Sequence, residues 1–176
     1  MFLPSLYKSF QSIPVTNTTT LPLDVAIASV DTNYTRISTQ GAELYHFYRF
    51  RINLTSAINV RFHDFHNSSG NSGQAARTTL IVEEFVGLFF HQPFYYGTVV
   101  LGQSVVTNSV NTGLTLNSKA FLVSLGFEVT FNQVLATSPE TTANLALSGS
   151  TVTATRTIAN SSAGDLTCGF LLIDPK

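Results

Sequence analysis

The 176-residue chain has no tryptophan, one cysteine and few charges: 9 Lys+Arg against 10 Asp+Glu, or 11% charged residues. That is less than half the roughly 25% of an average soluble protein. One cysteine excludes an intrachain disulfide and any single-chain zinc site built on two or more thiolates. A net charge of −1 with no basic run argues against nucleic acid as a partner, because neutralising phosphates takes clustered Lys and Arg. Long hydrophobic runs are missing too. The densest, from Leu80 to Tyr96, is broken by Glu83, Glu84, His91 and Pro93, so no membrane span is expected. The N-terminus, Met1-Phe2-Leu3-Pro4-Ser5-Leu6-Tyr7-Lys8, has no basic region and no apolar run of signal-peptide length.

What is present is small, uncharged and β-prone. Thr (23), Ser (18) and Asn (12) make up 53 of 176 residues, beside 44% hydrophobic residues, which is ample for a core. The periodicity is two. Leu44, His46, Tyr48, Phe50, Ile52 and Leu54 share one face of a strand, with Tyr45, Phe47, Arg49, Arg51 and Asn53 on the other. Phe127, Val129 and Phe131 alternate with Glu128, Thr130 and Asn132, and Val152 and Ala154 oppose Thr151, Thr153 and Thr155. Branched Thr and Val suit a pleated surface, and no window carries a capped 3.6-residue stripe. Turn residues punctuate the chain at 67–73, 111–113, 148–150 and 160–164. The expectation is an all-β protein of ten to twelve short strands, an antiparallel β-sandwich or jelly-roll-like fold.

A self-similarity divides the chain. Val25–Ser38 reads VAIASVDTNYTRIS and Val105–Ser118 reads VVTNSVNTGLTLNS, identical at six of fourteen positions with an offset of 80. Each copy then runs to a Leu-plus-small-polar stretch, Leu54–Arg61 and Leu147–Arg156, and closes on an aliphatic strand ending in acid, Thr79–Glu84 and Phe170–Pro175. The organisation read from this is an N-terminal arm (1–20), a first β unit (21–86), an apolar linker (87–96) and a second β unit (97–176).

Four segments carry a resemblance. They are Ile27-Ala-Ser-Val-Asp31, Ser118-Lys-Ala-Phe-Leu-Val123, Thr151-Val-Thr-Ala-Thr-Arg156 and Leu80-Ile-Val-Glu-Glu-Phe85. Together they resemble a family of tailed-bacteriophage virion structural proteins with tandem β-rich units, over residues 21 to 174. The resemblance implies a non-enzymatic virion component, on the head as a decoration or cement protein or in the tail. It implies a homo-oligomer whose partners are itself and other virion proteins.

Candidate chemistry is sparse. His63-Asp64-Phe65-His66 offers two imidazoles and a carboxylate, but on a strand His63 and His66 point to opposite faces. Adjacent Glu83 and Glu84 likewise face apart and cannot work as an acid–base pair. No Ser lies in a Gly-x-Ser-x-Gly elbow, and no Gly-Lys-Ser/Thr loop occurs. Cys168, inside an apolar run, reads as a buried small hydrophobe. No enzyme activity, cofactor or metal is therefore expected.

Aromatics carry more information. Of the fourteen Phe and six Tyr, ten are concentrated at Tyr45–Phe50 and at Phe85–Tyr96. Each exposed Phe forgoes about 1.5–3 kcal/mol of burial, so the second segment must be covered. It meets either the other unit or a neighbouring subunit. With the arm, this makes Phe2, Phe10, Phe89, Phe90, Phe94, Tyr95 and Tyr96 the candidate interface residues. The alternative function is a carbohydrate-binding adhesin or receptor-binding module, with Tyr95 and Tyr96 stacking on a glycan.

Overall fold

The computed structural model describes residues 5–16, 22–43, 51–63, 77–130, 143–156 and 165–176. Twelve strands form there and no α-helix. In the first half they are β1 (Tyr7–Thr16), β2 (Leu23–Ala26), β3 (Thr35–Glu43), β4 (Arg51–Ser56), β5 (Asn59–His63) and β6 (Arg77–Phe85). In the second they are β7 (Tyr95–Leu101), β8 (Thr107–Asn111), β9 (Phe121–Thr130), β10 (Ala143–Ser148), β11 (Thr151–Arg156) and β12 (Asp165–Ile173). Residues 44–50, where the sequence pattern predicts a strand, lie outside the described residues; the pattern's last four positions open β4.

Strand pairing is antiparallel throughout. Alternation decides the faces, as expected of β-branched and small polar residues on a pleat. In β11, Val152, Ala154 and Arg156 are buried while Thr151, Thr153 and Thr155 turn outward. Gly149, at φ 55°, closes the two-residue turn between β10 and β11, a conformation that an L side chain resists.

Three sheets result: β1-β6-β3, β10-β11-β8, and a six-stranded sheet ordered β2-β5-β4-β9-β12-β7. The first packs on one face of the long sheet around Ile37, Ile52, Val60, Phe62, Leu80 and Val82. The second packs around Val99, Leu101, Val152, Ala154, Leu166 and Phe170. Strand β12 shows that these two cores lie on opposite faces of the long sheet. Its Leu166, Cys168, Phe170 and Leu172 enter the second core, while Leu171 and Ile173 enter the first. Side chains alternate along a strand, so β12 is buried on both sides. This is an all-β sandwich fold in three layers, with the two outer sheets staggered.

Pairing order in the second half follows that of the first with six added to each strand number. Thus β1-β6-β3 answers to β7-β12-β9, and β2-β5-β4 to β8-β11-β10. The offset of 80 between the similar segments is not kept by the strands. Val25 pairs with Val60 and Val110 with Val152, each partner one residue beyond the first pair after a hairpin. Val25 therefore answers to Val110, an offset of 110 − 25 = 85, while Val105 precedes β8. Register is set by pairing between residues far apart in the chain, which a short run of identities does not encode.

Of the predicted arm (1–20), residues 7–16 are β1, paired with β6 from Tyr7↔Phe85 to Thr16↔Arg77 with one register shift between Tyr7 and Ser9. The predicted linker (87–96) holds a 3-10 turn at Gly87–Phe89, and its last two residues open β7.

Candidate functional site

The aromatic segment lies inside the chain. Phe90 and Phe94 are buried, with ring centroids 4.7 Å apart and edge to face. Phe85 meets both, at 5.8 and 5.7 Å, and Tyr34 stacks on Phe90 at 6.1 Å. Local hydrogen bonds set this up: the Phe90 amide closes the 3-10 turn on the Gly87 carbonyl, and the Phe94 amide donates to the Asn33 carbonyl. Gly87 is required here, since a Cβ would come within 2.5 Å of the Tyr34 ring. The Tyr96 hydroxyl donates to the Thr35 carbonyl at 2.6 Å, and burial raises its pKa. Tyr96 thus bolts β7 to β3, half-buried against the first core.

The candidate interface residues therefore separate. Phe90, Phe94 and Tyr96 sit where the two halves of the chain meet, and Phe89 packs half-buried against the same core. Tyr95 stacks on Phe170 at 6.1 Å, against the second core. Phe10 points outward from β1 and is 61% exposed. Phe2 lies outside the described residues.

Three ionisable groups gather where β4 meets β9. The Arg51 guanidinium donates to Glu128 Oε2 from Nη2 at 2.8 Å and from Nε at 3.2 Å. His63 Nδ1 stands 3.8 Å from the same oxygen, beyond hydrogen-bond reach, and its buried Nε2 finds no partner among the described residues. Burial first, then the Arg51 charge, hold the His63 pKa below 6.5, with Glu128 partly offsetting them. Asp64 and His66, the other members of the predicted cluster, lie outside the described residues. Among the described residues no group of three or more His, Cys, Asp or Glu is placed to hold a metal.

Glu83 and Glu84 do face opposite ways. Glu83 pairs with Arg36 at 2.6 Å on the outer side, where the guanidinium also lies 5.9 Å from the Phe85 ring centroid. Glu84 turns inward and is 3% exposed. It accepts from Lys8 Nζ (2.6 Å), Ser9 Oγ (2.8 Å) and the Asp31 amide (3.0 Å). Asp174 plays the same part at the end of β12, accepting from the Asn117 amide at 3.3 Å. Both acids tie the end of a closing strand to the turn before a third strand. Cys168 is fully buried, and burial pushes its thiol up to about 12, far from a reactive thiolate.

Sequence reasoning missed part of the exposed apolar surface. Leu6, Tyr7 and Leu88 are each more than two-fifths exposed where β1 meets the Gly87–Phe89 turn, near the Leu6 carbonyl that accepts from the Val86 amide. Tyr7 also packs its ring on Phe85 at 5.0 Å. Alternation within β1 could have pointed to Tyr7 and Phe10, but the register slip between Tyr7 and Ser9 breaks the count. A buried cation was missed as well: Arg156 donates to the Gly102 and Gln103 carbonyls and holds the turn before β8. No family model, curated protein or solved structure matches this chain.

Proposed function

We propose that the chain is a non-enzymatic structural subunit of a bacteriophage virion, a homo-oligomer that decorates the head or forms part of the tail. The observation that carries this reading is the placement of exposed apolar side chains on the N-terminal strand and its turn: Leu6, Tyr7, Phe10 and Leu88. Fully hydrated, such residues forgo burial free energy, so several of them on one strand and its adjoining turn support a contact surface. Low charge supports the same reading, because an assembled surface needs few ions for solubility. The virion assignment itself rests on the four resembling segments.

Light scattering of the purified chain tests the assembly. A defined multimer is expected, and Phe10→Ser combined with Leu88→Ser should lower its mass while circular dichroism stays unchanged. A 19.1 kDa monomer at every concentration overturns the assembly reading. Antibody against the chain should decorate a fixed site on phage particles; uniform absence of label from intact particles overturns the virion assignment.

A further inference from the structure

The chain carries its own pattern for joining copies. Each half has two sandwiched sheets, and the halves join edge to edge, β4 of the first to β9 of the second, with Arg51 opposite Gly126. Strand β4 ends the second sheet of its half, and β9 ends the first sheet of the other. The equivalent strands, six higher and six lower, are β10 and β3. Among the described strands each has one paired neighbour, β11 and β6 respectively, and an open second edge.

These open edges cannot pair with each other inside one chain. Sheet β1-β6-β3 lies on one face of the six-stranded sheet and β10-β11-β8 on the other, as the alternation of β12 shows. The edges at β1 and at β7 with β8 are tied by side chains. Gln11 ties β1 to the Ala28 backbone through both ends of its amide, and Pro14 leaves β1 without one N–H donor. The Asn108 amide of β8 donates to the Val100 carbonyl of β7. Strand β10, Ala-Asn-Leu-Ala-Leu-Ser, carries none of the charges or prolines that usually guard an edge.

We infer that the two halves are equivalent units, and that β10 of one copy pairs antiparallel with β3 of the next as β4 pairs with β9 within the chain. The partner is a second copy, which rests on the assembly reading above. The contact is head-to-tail, so it closes into a ring or grows as a filament. Register follows from the internal junction. Arg51 and Asn144 each stand in the fifth pair from their hairpin, and the offset of 85 between the halves brings Gly126 onto Gly41, both glycines lying within the bulge of their strand. Asn144 then faces Gly41, and Ala146 faces Thr39.

Disulfide trapping tests this with Thr39→Cys and Ala146→Cys made in separate chains; the native Cys168 is buried and silent. Mixed under oxidation, the two should give a covalent dimer that neither gives alone and that Ile58→Cys mixed with Ala146→Cys does not. Carried in one chain, they should give a ladder or a closed ring on a non-reducing gel. A wild-type multimer without this cross-link overturns the edge contact and leaves the assembly reading standing; a monomer at every concentration overturns both. A cross-link confined within the double-cysteine chain also overturns the edge contact. Ala146→Pro should lower the multimer mass without changing the circular dichroism spectrum, and an unchanged mass counts against the proposal.

Discussion

Two titrating side chains in this protein act in separate pH windows, for different reasons. His63 is held below 6.5, so the unfolded chain binds its proton more tightly than the folded one. Stability is therefore full above 6.5 and falls as the pH drops from there towards the folded pKa. Glu84 behaves as a depressed carboxylate. Burial opposes its charge, but Lys8, the Asp31 amide and Ser9 together outweigh burial and hold it below 4.5. Its contribution is present above 4.5 and is lost as the pH falls through the folded value. Thermal melts across pH should show two successive declines. His63→Gln should remove the first and Glu84→Gln should flatten the second; an unchanged profile in either variant would reject that assignment.

Strand β12 is the element on which both cores depend. Leu171 and Leu172 are adjacent and fully buried, yet they face different sheets. Each truncation to alanine should cost about 2–5 kcal/mol, the range for a core Leu losing its packed neighbours. Urea unfolding measures the cost, and NMR of aromatic and methyl groups shows which side is touched. Leu171→Ala should shift Phe90 and Phe94, while Leu172→Ala should leave them and shift Val152 and Ala154. A common pattern of shifts would contradict the two-faced packing. Strand existence was legible at this scale. In β11 alternation named the buried Val152 and Ala154 correctly, since a residue's face follows from counting by two. Adjacent Glu83 and Glu84 were separable on the same ground. The strand β1 was not legible, because Met1 to Pro14 mixes apolar residues with two prolines and its pairing with β6 spans some seventy residues of chain.

At the scale of the whole molecule, β12 and the bolt from Tyr96 to Thr35 join the halves, so one cooperative transition is expected. Cys168 reports on it. Its thiol sits in the second core, protonated and inaccessible, and should react with a thiol reagent only as fast as the chain opens. Labelling kinetics should track loss of the β-sheet signal; labelling ahead of it would mean that the second half opens alone. The candidate interface divided at this scale as well. Phe90, Phe94 and Tyr96 are covered by the chain itself, whereas Phe10 is left in solvent, and no local pattern distinguishes the two cases.

From sequence alone, the all-β class, the faces of individual strands and the absence of clustered charge were determined. These depend on residue type and on a period of two, both of which act locally. Only the tertiary structure decided which aromatics are core, which acid clamps which turn, and the order in which the strands pair. Those depend on pairings between residues far apart in the chain, and their energies come from shared burial that no single segment encodes.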